Sequence, residues 1–182
     1  MSYLEIRGCR IGAGRPKVIL PIVEPNEAAI LAKAKAFSTL QADCVEWRAD
    51  WFDAISDPAA LSRVLHGLRD ALSGMLLLVT FRTKAEGGEK ALSAAAYAAF
   101  CETVCASGCA DLLDIEFFPN REVLPQLIAR AHAAGVAVVC SSHDFQKTPP
   151  KEALTARMVA MQQAGADLPK LAVMPQSRAD VT

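Results

Sequence analysis

The sequence has 182 residues, of which 52% are hydrophobic and 21% are charged, and this composition is ordinary for a single globular domain. The formal net charge of -1 argues against nucleic acid as a partner, because that binding depends on an excess of Lys and Arg. No basic segment followed by an apolar one opens the chain, and apolar runs such as 75–79 are too short to span a bilayer. We therefore expect a cytoplasmic protein that binds neither nucleic acid nor membrane, folded as one domain over residues 1–182.

The chain opens with a predicted hairpin and continues as a regular alternation of strands and helices. Residues 1–16 alternate apolar and polar side chains and then carry Gly12, Gly14 and Pro16, which is typical of a small hairpin. In residues 17–182, apolar runs and helical patterns alternate about every thirty residues. The predicted strands are 18–23, 44–48, 75–82, 112–117, 136–141 and 169–174, and the predicted helices are 26–40, 58–72, 92–107, 122–134 and 151–164. This order predicts right-handed βαβ units, with a parallel sheet and helices packed outside it.

Polar residues interrupt four of these strands near their C-terminal ends. They occur as i, i+2 pairs, which a strand points to one face, and the pairs are Glu46 and Arg48, Thr80 and Arg82, Asp114 and Glu116, and Ser141 and His143. Four successive strands that deliver charge to the C-terminal face of a parallel barrel predict a polar pocket there. The alternative is that these charges are solvated loop starts, which explains one pair more easily than four.

Two side chains in the last two predicted strands are chemically unusual. Lys170 lies among Leu168, Leu171 and Val173, and burial of that strand would favour a neutral, nucleophilic amine. Such a lysine can form a Schiff base with a ketone or aldehyde, and His143, just past the preceding apolar run, could move the protons that imine chemistry requires. The local sequence leaves open that Lys170 extends to solvent and that His143 caps a turn.

Two other features of the sequence could suggest a metal site or a phosphate-binding loop, but only weakly. The helical spacing of Cys101, Cys105 and Cys109 could suggest a metal site, but the outer two would be about 12 Å apart on one helix, so we interpret all six cysteines as apolar. The glycine-containing loop 82–89 matches no phosphate-binding pattern, and Glu86 within it is better interpreted as a carboxylate near the pocket.

Five motifs together closely resemble type I 3-dehydroquinate dehydratase. They are E-W-R-A-D at 46–50, T-F-R-T-K-A-E-G-G-E at 80–89, D-I-E-F-F at 114–118, S-S-H-D-F-Q-K-T-P at 141–149 and G-A-D-L-P-K-L-A-V-M-P-Q-S at 165–177. The resemblance covers essentially the whole chain. It implies a (β/α)8 barrel of the TIM type, a homodimer, and dehydration of 3-dehydroquinate to 3-dehydroshikimate in the shikimate pathway without a metal or organic cofactor.

The resemblance also assigns roles to individual residues. Lys170 would form the imine with the substrate ketone, His143 would remove the C2 proton and protonate the departing C1 hydroxyl, and Glu86 would orient His143. The substrate-binding residues would be Glu46, Arg48 and Arg82. There are two rival hypotheses. The first is another Schiff-base barrel enzyme of the class I aldolase type, and the second is a catalytically silent fragment that serves as a binding or assembly module.

The length departs from the family pattern. A barrel of eight βα units needs about 250 residues, whereas these 182 residues accommodate about six. We therefore expect the barrel to be incomplete at its C-terminus, with the edge of the last strand exposed. For the same reason we expect a polypeptide of these 182 residues alone to show little turnover.

Overall fold

The computed structural model describes residues 3–181 and contains an open parallel sheet flanked by helices. A short antiparallel hairpin of β1 (Leu4–Ile6) and β2 (Cys9–Ile11) precedes the sheet. The sheet strands, which pair in chain order, are β3 (Ile19–Ile22), β4 (Cys44–Arg48), β5 (Leu76–Thr80), β6 (Leu112–Glu116), β7 (Ala137–Asp144) and β8 (Leu168–Val173). The prediction of a parallel sheet with helices packed outside it is confirmed.

Five helices connect these strands, and local sequence explains where several of them begin. They are α1 (Glu27–Phe37), α2 (Pro58–Ala71), α3 (Ala94–Ala106), α4 (Leu124–Ala133) and α5 (Lys151–Gln163). The side chains of Asn26, Asp57 and Ser93 each accept a backbone N–H in the first turn of α1, α2 and α3. Within residues 3–181, no helix is long and apolar enough to cross a membrane.

The strand boundaries differ from the prediction at two places that matter for the site. His143 was predicted just past its strand but lies within β7, because pairing with β8 continues as far as Asp144 opposite Val173. Arg82 was predicted to end its strand, but β5 ends at Thr80. The Arg82 N–H instead donates to the Asp50 carboxylate at 3.3 Å and so leaves the sheet ladder.

The two faces of the sheet bury different sets of side chains. The face toward the helices contributes the large core, with Trp47 and Phe81 among its fully buried members. The opposite face has a smaller apolar cluster, which the hairpin partly covers and which consists of Cys44, Leu76, Leu78, Leu112 and Val139. The outer strands are less protected: Ile19 of β3 is 48% exposed, and every residue of β8 is half-buried.

A repeated aspartate secures the N-terminal ends of alternate strands. Asp43, Asp111 and Asp167 immediately precede β4, β6 and β8, and each follows an alanine. Each carboxylate accepts one backbone N–H of the neighbouring strand, or of the residue just before that strand, at 2.7 to 2.8 Å. The repeat fixes the stagger between adjacent strands at the end of the sheet opposite the polar residues.

Replacing Asp111 by alanine is expected to lower the free energy of unfolding by about 2 to 3 kcal/mol, because its charged hydrogen bonds to Arg7, Arg69 and the Leu77 N–H are all lost. Urea unfolding measures the change, and Asp70→Ala, at an exposed acid on α2, is the matched control. Equal stability of the two variants would contradict this role.

Candidate active site

The polar residues predicted from the i, i+2 pairs lie on the sheet face opposite the large core, and we refer to this set as the polar pocket. Cys44, Leu76, Leu112, Val139 and Leu168 begin the inward-facing set near the start of each strand. Because side chains alternate along a strand, the later members of the same set share that face. These later members are Glu46 and Arg48 on β4, Thr80 on β5, Asp114 and Glu116 on β6, Ser141 and His143 on β7, and Lys170 on β8.

Arg82 is the central cation of this pocket. Its side chain is 5% exposed and lies 3.0 Å from Asp114, 3.0 Å from Glu116 and 3.6 Å from Glu86. Burial opposes its charge, but these carboxylates outweigh burial and raise the pKa of Arg82. One guanidinium therefore neutralises part of the charge of three acids.

Glu116 shows the cost of this crowding. Burial raises the pKa of Glu116 above its usual value, even though Thr83 donates two hydrogen bonds to it and Arg82 attracts it. Arg82 does not bring the pKa of Glu116 down to its usual value, because its attraction is divided among three acids. The pocket is thus rich in carboxylate and has a limited positive charge.

Glu86 and His143 form a buried hydrogen-bonded pair at the edge of this cluster. One carboxylate oxygen, Oε2, lies 2.9 Å from His143 Nδ1 and also accepts the His143 backbone N–H at 3.0 Å. The ring of Phe145 stacks on the imidazole with centroids 5.9 Å apart. A Cβ on Gly87, whose φ is +84°, would come within 2.4 Å of that ring, so the close approach requires glycine.

Glu46 and Arg48 extend the pocket along β4. Glu46 accepts the Thr80 hydroxyl at 2.7 Å. Arg48 donates two hydrogen bonds of 2.8 Å to Asp50, and this pairing raises the pKa of Arg48. Both Glu46 and Arg48 are half-buried, so each is within reach of a small molecule in the pocket.

Lys170 lies in the same layer of the sheet as Ser141. The two residues are register partners across β7 and β8, and His143 follows two residues after Ser141 on the same face. Lys170 is half-buried, and among residues 3–181 its amine has no hydrogen-bond or ion-pair partner. An amine placed in this way remains available to react.

The structure connects four of the six predicted site residues, namely Arg48, Arg82, Glu86 and His143, through hydrogen bonds and ion pairs. Arg82 contacts Glu86, which holds His143, while Asp50 joins Arg48 to the backbone of Arg82. Glu46 bonds to Thr80, two residues before Arg82, and Lys170 is related to the group by strand register. Sequence reasoning assigned no role to Asp50, Thr83 or Phe145, although all three lie inside or beside the motifs.

The cysteines show no sign of metal chemistry in the described part of the chain. All six are free, and no group of three His, Cys, Asp or Glu side chains among residues 3–181 is arranged to hold a metal ion. Burial raises the pKa of Cys44 and of Cys140 to about 12, which keeps both thiols protonated.

Comparison with known sequences identifies relatives of similar sequence over the whole chain. The sequence profile of the type I 3-dehydroquinase family matches residues 18–182. A relative from Bacillus licheniformis, named 3-dehydroquinate dehydratase, is 43% identical over 180 residues, which are 99% of this chain and 71% of the relative. A relative of the same name from Enterococcus faecalis is 43% identical over 181 residues, which are 72% of its length.

Solved structures agree with the sequence matches. The type I 3-dehydroquinate dehydratase from Clostridium difficile superposes with a TM-score of 0.96 at 39% identity, covering 99% of this chain and 71% of that one. The Enterococcus faecalis enzyme gives a TM-score of 0.94 at 43% identity, covering 98% and 74%. These matches confirm the predicted α/β fold of the barrel type. The chain therefore belongs to the type I 3-dehydroquinase family.

Proposed function

We propose that Lys170, His143 and Glu86 carry out the reaction of this family in the present chain. The family reaction is dehydration of 3-dehydroquinate to 3-dehydroshikimate, a hydro-lyase step of the shikimate pathway. The observation that supports the assignment most strongly is an unpaired lysine on the strand next to a histidine of the same sheet face, two residues along, whose Nδ1 is held by a buried carboxylate.

The proposed mechanism uses only side chains of the protein. The neutral amine of Lys170 adds to the C3 ketone, and water leaves to give an iminium ion, which withdraws electrons from C2. His143 then removes the C2 proton, and the resulting enamine expels the C1 hydroxyl, to which His143 returns the proton. Hydrolysis of the iminium regenerates Lys170, so the net change is loss of one water.

Glu86 fits a supporting role in this sequence of steps. Its carboxylate accepts from Nδ1, which leaves Nε2 of His143 free to take the C2 proton and stabilises the imidazolium that forms. The ring of Phe145 lies nearly parallel to the imidazole and so helps to fix its orientation.

We assign substrate binding to Glu46, Arg48 and Arg82 in different ways. Glu46 and Arg48 are half-buried and can accept from or donate to hydroxyl groups of the substrate. Arg82 is almost fully enclosed by carboxylates, so its main contribution is the electrostatic potential of the pocket.

The assembly and location of the protein are part of the same proposal. We propose a homodimer in the cytoplasm, with residues 1–182 contributing a single barrel-type domain that begins with the hairpin. Sedimentation velocity tests the dimer, and a single species at the monomer mass would contradict it.

The test of function is conversion of 3-dehydroquinate with protein in molar excess, so that slow turnover is still detected. We expect the near-ultraviolet absorbance of an enone carboxylate to appear, and NMR to identify 3-dehydroshikimate. Carbon–carbon cleavage products would instead indicate aldolase chemistry, and absence of any product would favour a silent fragment.

The variant Lys170→Ala is expected to abolish this conversion, because no other group then supplies the imine that acidifies C2. Lys147→Ala, at a lysine in the loop after β7, is the matched control and should retain wild-type conversion. Conversion by Lys170→Ala at the wild-type rate would contradict the assignment.

A further inference from the structure

Asp50, like Asp114 and Glu116, is a fully buried acid outside the residues assigned to the reaction. It is 0% exposed, and its two oxygens together accept four hydrogen bonds. Arg48 donates two of them at 2.8 Å, and the backbone N–H groups of Arg82 and Glu89 donate the others at 3.3 and 3.2 Å. A buried carboxylate with this number of donors is held in one orientation.

The two backbone donors lie at opposite ends of one loop. This loop, residues 82–90, leaves β5 and returns toward α3, and its ends also pair with each other through Thr83 and Lys90. The amine of Lys90 donates to the carbonyl oxygens of Asp50 and Phe52, both at 2.9 Å. The loop is therefore fastened to the segment around Asp50 by side-chain and main-chain contacts.

Glu86 lies at the middle of this loop. A short 3-10 turn, Lys84–Glu86, directs its carboxylate toward His143. Gly88 keeps the closing part of the loop against its start, since a Cβ there would lie 1.9 Å from the Arg82 carbonyl oxygen. The position of Glu86 thus depends on how firmly both ends of the loop are anchored.

We propose that Asp50 is a positioning residue for His143: by joining the two ends of loop 82–90 to Arg48, it sets the place of Glu86 and hence the orientation of the imidazole. This inference deepens the proposed function and relies on it for the role of His143. The proposal also links Arg48 on β4 to His143 on β7, through Asp50, loop 82–90 and Glu86.

The test is the state of the His143 imidazole in Asp50→Asn, which keeps the side-chain shape but removes the charge and replaces one acceptor oxygen with a donor. Nitrogen-15 NMR of the imidazoles is practical because the chain has only three histidines. In the wild type we expect the proton on Nδ1, facing Glu86, and in Glu86→Gln we expect this signature to be lost. The Nδ1 chemical shift of Glu86→Gln differs from that of the wild type by an amount that sets the scale. Asp50→Asn should move the Nδ1 chemical shift by more than half of that amount.

Asp53→Asn is the matched control, because Asp53 is exposed on the same segment and the substitution makes the same change of charge. It should leave the His143 signals unchanged. A wild-type His143 spectrum in folded Asp50→Asn would overturn the proposal.

If circular dichroism shows that Asp50→Asn does not fold, Lys90→Met provides the second test, since it releases the loop from the Asp50 and Phe52 carbonyls. A smaller Nδ1 shift in the same direction is expected, and no shift would overturn the proposal. Neither spectrum requires substrate, so failure of the Lys170 chemistry and failure of this inference are distinguishable.

Discussion

His143→Ala is expected to slow exchange of the substrate C2 proton with solvent by a factor of about 10² to 10⁴, the usual contribution of a positioned general base. Lys170 should still form the imine, because its amine does not depend on a hydrogen bond from His143 in the structure. The variant therefore separates carbon–nitrogen bond formation from proton removal.

Deuterium incorporation at C2 in D2O, followed by NMR, measures this step even if overall turnover is low. His132→Ala is the control, since His132 is exposed on α4 and bonds to Asp167 at the opposite end of the sheet. Wild-type exchange in His143→Ala would show that another group removes the proton.

Arg82→Met is expected to lower the free energy of unfolding by about 3 to 5 kcal/mol, the usual cost of removing one partner from a buried ionic cluster. The substitution keeps much of the side-chain volume but leaves Asp114, Glu116 and Glu86 without their shared cation. The same change should disturb the Glu86 and His143 pair, so stability and reactivity should fall together.

The loss of unfolding free energy in Arg82→Met should grow as the pH rises. Burial already raises the pKa of Glu116, so the folded protein keeps this proton to a higher pH than the unfolded chain, and ionising Glu116 costs stability as the pH rises through that interval. Loss of Arg82 removes a cation that favours the charged form of Glu116. The pKa of Glu116 in the folded protein therefore moves further above its value in the unfolded chain. Urea unfolding should therefore show a larger deficit at about pH 8 than at about pH 5.

The exposed Arg178 provides the control substitution, Arg178→Met, which should change stability little at either pH. An Arg82→Met deficit that is the same at both pH values would contradict the view that ionisation of the clustered acids sets the cost.

The sequence predicts the main features of this molecule because two signals repeat along it. Alternating strand and helix patterns recur at a near-constant interval, and the parallel sheet with helices outside it follows from them. The i, i+2 spacing of Glu46 and Arg48, or of Asp114 and Glu116, identifies a shared face without any knowledge of register. The resemblance to the family then supplied roles that spacing alone leaves open.

Other features required the three-dimensional register. Asp50 lies two residues past the end of β4 in sequence, yet its importance comes from N–H groups of Arg82 and Glu89, which lie 32 and 39 residues away. The longer β7, which includes His143, arises from pairing with β8 and not from apolar side chains. Long-range backbone contacts of this kind leave no local pattern in the sequence.

The most direct test of the central claim is the intact mass of the protein after incubation with 3-dehydroquinate and borohydride, followed by peptide mapping. Reduction converts an imine to a stable secondary amine, so a trapped adduct persists through digestion. We predict a single adduct on the peptide that contains Lys170, absent from Lys170→Ala. A folded protein that gains no mass, or an adduct mapped to another lysine, would contradict the assignment of Lys170 as the Schiff-base residue.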